Sequence, residues 1–169
     1  MQKMPSREEE WTEMVCAYQG ALLRICWLEL RDEEFARDAV QETFLKAWQH
    51  MDTFRAQSQA KTWLTRIALN VCRDMRRSKW FRHIDRRITP EMLPHAAVPP
   101  KQADLDLLRA LSSLPDKLRQ ALILYYYEDM TVTQAASALG ISQPTMTYRI
   151  KRGREKLRAE LRKRGITDV

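Results

Sequence analysis

Apolar side chains recur along the first part of the chain every three or four residues. Trp11, Met14, Val15, Tyr18, Leu22, Ile25 and Cys26 form one such series, which predicts a helix with a single apolar stripe. Ahead of it, Ser6-Arg7-Glu8-Glu9 reads as a capping box, in which the serine hydroxyl and the Glu9 carboxylate each satisfy a backbone N–H left open by the first turn. A second series, Phe35, Ala36, Ala39, Val40, Phe44, Ala47, Trp48 and Met51, follows Asp32, a suitable cap. It leaves Arg37, Asp38, Gln41, Glu42, Lys46 and Gln49 outside the apolar face. Residues 52–60 lose the period and carry several small or polar side chains, so a loop is expected there.

From Lys61 to Phe81 two opposed stripes share one helix. Leu64, Ala68, Val71 and Met75 lie on one side, and Arg66, Asn70, Arg73 and Arg77 repeat the same spacing on the other. Such a helix packs through one face and presents arginines and an amide through the other. Over residues 83–103 the pattern collapses, and Pro90, Pro94, Pro99 and Pro100 forbid a continuous helix. This segment is expected to be a linker; fully extended it would reach roughly 70 Å, about two turns of duplex DNA.

Helical spacing resumes at Asp104. Leu107, Leu108, Leu111 and Leu114 form a stripe ended by Pro115, and Leu118, Ala121, Leu122 and Tyr125 form the next. Thr131-Val132-Thr133-Gln134 is a second capping box, opening a short helix to Leu139. Gly140 supplies a left-handed turn, and Ser142 caps a long helix that begins Gln143-Pro144, where proline is tolerated because the first turn needs no N–H from it. Short helix, tight turn and longer basic helix make a helix-turn-helix. With only 4 glycines in 169 residues against many Leu, Ala, Arg, Glu and Gln, the expected class is all-α: two small helical domains, 7–82 and 104–165, joined by the Pro-containing linker 83–103.

Charge sharpens this picture by its location. Thr147 to Gly165 holds nine Lys/Arg against two Glu, and Arg73 to Arg87 holds seven against two Asp, although the whole chain nets only +7. The remainder is therefore acidic on balance, and two concentrated cationic segments in an acidic chain point to two nucleic-acid footprints. Cys16, Cys26 and Cys72 are an odd number without a Cys-x-x-Cys pair, which argues against a disulfide framework or thiolate zinc site. All three are expected to be small buried hydrophobes. His50, His83 and His95 are scattered, and carboxylates nowhere cluster with histidine as a metal or general-base site requires, so no metal, no cofactor, no small-molecule substrate and no enzymatic activity are expected. No apolar run reaches the roughly 18 residues that would span a bilayer, and the polar, acidic start does not resemble a signal peptide. A cytoplasmic protein without membrane insertion is expected.

A helix-turn-helix inserts its second helix into the major groove N-terminal end first, so the candidate readers of duplex DNA are Gln143, Thr147, Tyr148 and Lys151, and Arg149, Arg152 and Arg154 follow as candidate phosphate or base contacts. Thr145, near the positive end of that helix, suits a backbone phosphate. This half alone fits a free-standing helix-turn-helix regulator as well.

The two halves together resemble the extracytoplasmic-function sigma factors of bacterial RNA polymerase. The matching stretches are Arg37 to Trp48, Phe54-Arg55 and Lys61 to Asn70, then Leu114-Pro115, Gln134-Ala135-Ala136, Leu139 to Ser142 and Arg152 to Leu157, in the family's order. The resemblance implies a transcription initiation factor that binds core polymerase, directs it to promoters and helps to melt the proximal element. Asp38, Gln41, Glu42 and Leu45 then sit on the helix that docks on the clamp coiled coil of the polymerase large subunit. Phe54 to Lys61 corresponds to the loop that captures a flipped base, and Asn70 to a position that selects it; Phe54, Lys61, Thr62, Trp63, Arg66, Asn70, Arg73 and Arg77 are the implied proximal-element set. Trp63 borders both stripes of its helix and suits either the core or a stacking role. Thr147, Tyr148, Lys151 and Arg152 match positions that read the distal element, and an anti-sigma factor is implied as a further partner. The chain departs from the family's usual pattern at Pro144-Thr145-Met146, at Thr147 and at Gln59-Ala60, so the resemblance does not carry over a promoter sequence.

Overall fold

The computed structural model describes residues 6–54, 59–78 and 102–167. Within them, helices α1 (Arg7–Leu30), α2 (Glu33–Gln49) and α3 (Ala60–Arg77) form one compact unit, with a short 3-10 turn at Met51–Thr53. Helices α4 (Gln102–Ser113), α5 (Asp116–Leu122), α6 (Val132–Leu139) and α7 (Gln143–Lys163) form a second. The expected linker over 83–103 lies almost wholly outside the described residues, as does the stretch from Lys79 to Phe81 that the sequence assigns to the third helix.

In the first unit α1 packs along α3. Leu22, Ile25, Cys26 and Leu30 of α1 meet the buried stripe of α3, where Leu64, Ala68, Val71 and Cys72 are all at most 2% exposed. The Ser6 capping box forms in both directions: the Glu9 N–H donates to Ser6 Oγ at 3.2 Å and the Ser6 N–H to Glu9 Oε2 at 2.7 Å. Toward that end of α1, Trp11 sets its ring edgewise against Phe44 and Trp48 of α2, at centroid distances of 5.8 and 5.2 Å. Arg7 lies over the Trp48 ring at 4.7 Å and pairs with Asp52 at 3.2 Å. Inside α2, Thr43 is fully buried and turns its hydroxyl back to the Ala39 carbonyl at 2.6 Å, so a polar atom on the core face is satisfied locally.

The cysteine expectation needs one correction. Cys26 and Cys72 are buried, but Cys16 is exposed. At about 100° per residue Cys16 points some 120° away from Leu22, and α1 buries little along its first half. Cys26 and Cys72 touch across the α1–α3 seam, and that contact together with burial pushes the Cys72 thiol far above its ordinary value. Native protein treated with iodoacetamide is therefore expected to carry a single adduct at Cys16, and denatured protein three; mass spectrometry of peptides distinguishes the sites.

In the second unit α7 packs against α4, α5 and α6. The apolar positions read from the sequence are buried at Leu108, Leu111, Leu114, Leu118, Ala121 and Leu122, and Leu105, Ala110, Ile123 and Leu124 join them. A side chain at Gly153 would place its Cβ 3.0 Å from Leu122 Cγ, so the bare backbone is what lets α7 lie this close to α5. Helix α5 does not simply stop at Leu122: Ile123–Tyr127 continue it as a π turn, with the Glu128 N–H reaching back to the Ile123 carbonyl at 3.1 Å.

Candidate nucleic-acid interface

The helix-turn-helix geometry follows from its caps. Thr131 Oγ1 accepts from the Gln134 N–H at 3.2 Å while Gln134 Oε1 accepts from the Thr131 N–H at 2.9 Å, completing the capping box that opens α6. Gly140 at φ 64°, ψ 38° ends α6 in the left-handed conformation, and the Ile141 N–H bonds the Ala136 carbonyl at 3.0 Å. Ser142 Oγ then accepts from the Thr145 N–H at 3.3 Å, with Pro144 inside the first turn of α7.

Helix α7 buries Met146, Ile150, Gly153 and Leu161 and turns its other sides to solvent. Gln143, Thr147, Tyr148, Lys151, Arg152 and Arg154 are all exposed, Tyr148 by 64% despite its aromatic ring. Thr145 is half-buried and its hydroxyl lies 2.8 Å from Ser142 Oγ, so it is already engaged in the cap. Arg152 pairs with Glu155 at 3.0 Å, whereas Arg154 donates to the neutral Tyr126 hydroxyl at 3.3 Å. Further along α7, hydrogen bonding to the Lys163 ammonium holds the Glu160 carboxyl below its ordinary value.

On the first unit the four polar positions of α3 are displayed together. Arg66, Asn70, Arg73 and Arg77 are all exposed, opposite the buried stripe, and Arg73 donates to Asn70 Oδ1 at 2.8 Å. Phe54, at the end of the 3-10 turn, stacks on Trp63 with centroids 4.7 Å apart and planes 28° from parallel. Both rings are half-buried, so Trp63 belongs neither to the closed core nor to open solvent. Lys61 is half-buried too. Thr62 is different: at 5% exposure it faces inward and drops out of the DNA-facing set. The residues between Phe54 and Gln59, which include most of the expected capture loop, lie outside the described residues.

A third surface runs between α2 and α3. Asp38 and Gln41 are exposed, Glu42 is half-buried and pairs with Lys46 at 3.6 Å, and Leu45 is 53% exposed. These side chains line a groove completed from α3 by Val71, Asp74 and Met75. The sequence does not single out Asp74 for this surface, nor Tyr126 beside α7, because each joins its surface only when two helices pack. Among the described residues no cluster of His, Cys, Asp or Glu could hold a metal ion, and no helix is long and apolar enough to cross a membrane.

Comparison with known proteins matches residues 14–82 to Sigma-70 region 2 and residues 104–157 to Sigma-70, region 4. The extracytoplasmic-function RNA polymerase sigma factor SigW of Bacillus subtilis is 28% identical over 169 aligned residues, covering 92% of this chain and 90% of SigW. SigL of Mycobacterium tuberculosis, also an extracytoplasmic-function RNA polymerase sigma factor, is 33% identical over 80% of each chain. Among solved structures, CnrH in complex with the cytosolic domain of CnrY superposes with a TM-score of 0.71 at 27% identity, covering 92% of this chain and 90% of that one.

Proposed function

The chain belongs to the extracytoplasmic-function RNA polymerase sigma factors, promoter-specific initiation factors that bind core polymerase, and on that premise we propose which of its surfaces meets which partner. The groove face of α2, with Asp38, Gln41, Glu42 and Leu45, takes a basic helix of core polymerase. Phe54, Trp63, Lys61, Arg66, Asn70, Arg73 and Arg77 hold the proximal promoter element and help to melt it, cations following the backbone while the ring pair offers a stacking platform for an extruded base. Helix α7 enters the major groove of the distal element, with Gln143, Thr147, Tyr148 and Lys151 at base edges and Arg152 and Arg154 at or beside the backbone. The segment between the units tethers them, so each raises the local concentration of the other at a correctly spaced promoter. The protein then contributes binding and no bond chemistry of its own, and it works in the cytoplasm with the polymerase. A regulatory polypeptide partner, an anti-sigma factor, is proposed on the family resemblance and on the complex of CnrH with the cytosolic domain of CnrY.

The observation that carries this reading is that each unit buries one face of a helix and turns an opposite face of cations and amides to solvent. A free-standing regulator would need only the second unit and would leave the region 2 match over 14–82 without a role. Asn70 supports a selecting role: its oxygen accepts from Arg73, which leaves its NH2 as a donor for a base acceptor. Asn70→Ala is expected to change the rank order of promoters varied at the proximal element, by roughly tenfold for the preferred base. Arg162→Ala, in the exposed last turn of α7, is expected to weaken all promoters by a similar, few-fold factor. Competition between variant promoters in the presence of core polymerase measures both, and indistinguishable profiles for the two substitutions would contradict the assignment.

A further inference from the structure

We propose that Tyr126 is a positioning residue for DNA binding, its hydroxyl holding Arg154 at the rim of a cleft that seats one backbone phosphate of the duplex. This rests on the reading of α7 as the duplex-binding helix. The cleft lies between the π turn and α7 and is lined by Tyr125, Tyr126, Thr147, Lys151 and Arg154, with buried Ile150 beneath. No carboxylate lines it, so the Arg154 guanidinium can meet a singly charged phosphodiester there without a competing anion, beside the base-facing Thr147 and Lys151. Thr147, Lys151 and Arg154 fall at i, i+4 and i+7, so one side of α7 carries all three along roughly 10 Å of helix.

The partner of Arg154 is what sets this cation apart. Arg152, two residues earlier and so on the opposite side of α7, is held by the Glu155 carboxylate, which offsets its charge. Arg154 is held instead by a neutral hydroxyl at 3.3 Å. A phenol oxygen accepts one N–H and leaves the guanidinium its full charge and its other donors for a phosphate. The ring is fixed for the purpose: Tyr125 packs against it edge to plane, with centroids 4.9 Å apart. The π turn supplies the placement, since it buries Ile123 and Leu124 yet leaves Tyr126 49% exposed beside α7.

Full-length protein, titrated against a promoter duplex carrying the distal element and against an unrelated duplex over a range of salt, tests the proposal by fluorescence anisotropy. Tyr126→Phe removes one oxygen from a half-exposed ring and is expected to leave the melting temperature unchanged. It should weaken both duplexes alike, by roughly three- to tenfold, the range of one ordinary hydrogen bond lost from a positioning contact. The slope of log K against log salt should fall by up to about one phosphate's worth. In an Arg154→Ala background the same substitution should have no further effect. Wild-type affinity and slope for Tyr126→Phe would overturn the proposal, as would full additivity with Arg154→Ala or an effect confined to one sequence. If the unaltered protein bound neither duplex, the duplex-binding reading of α7 would fail first and take this inference with it.

Discussion

Arg76→Ala is expected to destabilise the first unit by about 3–5 kcal/mol, the largest stability effect of any single substitution considered for this chain. Arg76 Nη2 lies 3.2 Å from Glu29 Oε2, with the glutamate side chain only 1% exposed and the arginine 15%. A carboxylate so placed has lost its water and depends on the guanidinium facing it. Truncating the arginine leaves the charge buried without that partner, whereas replacing both residues by apolar ones removes the desolvation cost along with the attraction. Glu29→Leu combined with Arg76→Met is therefore expected to recover most of what Arg76→Ala loses. Urea unfolding followed by tryptophan fluorescence measures this cleanly, because all 5 tryptophans precede residue 81 and the second unit contributes none. A midpoint for Arg76→Ala equal to that of the unaltered protein would show the pair to be dispensable.

The largest functional effect is expected from reversing charge on the α2 surface proposed to meet polymerase. Asp38→Arg combined with Glu42→Arg should lower promoter-specific transcription by core polymerase on the order of 100-fold or more, since each like-charge contact at an interface costs more than a kcal/mol and about 1.4 kcal/mol is a factor of ten. The fold should tolerate the change. Asp38 is exposed, and the Glu42–Lys46 pair at 3.6 Å has both side chains 43% exposed, a setting in which an ion pair adds little stability. Leu45→Asp tests the apolar centre of the same patch and should act in the same direction. Binding of the isolated promoter duplex through α7 should be unaltered in both variants. Transcription within twofold of the unaltered protein for the double reversal would remove α2 from the polymerase interface.

What the sequence makes legible here is what short-range chemistry decides. The caps at Ser6, Thr131 and Ser142 and the left-handed Gly140 are local motifs, and each forms with the partners its spacing predicts. The opposed stripes of α3 are equally local, since a helix of known pitch fixes which residues share a side. The features that escaped are decided by packing between helices. Arg76 sits in a run of cations that reads as a solvent-facing footprint, yet it turns inward to Glu29, a residue that nothing nearby in sequence marks as buried. Arg119 likewise disappears into the second unit, bonded to Asp116 at 2.7 Å and to the Leu114 carbonyl at 3.3 Å. Thr62 reads as a polar neighbour of the capture loop and proves to be core. The π turn after Leu122 has no sequence signature, and without it Tyr126 would not be placed against Arg154.

Both cationic faces are assigned to a single promoter, engaged while the first unit is seated on polymerase. Run-off transcription with core RNA polymerase and the purified chain on a library of genomic fragments tests that claim most directly. The expected result is RNA starting at discrete sites that share two sequence blocks at constant spacing, with Asn70→Ala altering the preference at the block nearer the start and Lys151→Ala at the farther one. RNA no more abundant or discrete than core polymerase makes alone, on every fragment, would contradict it.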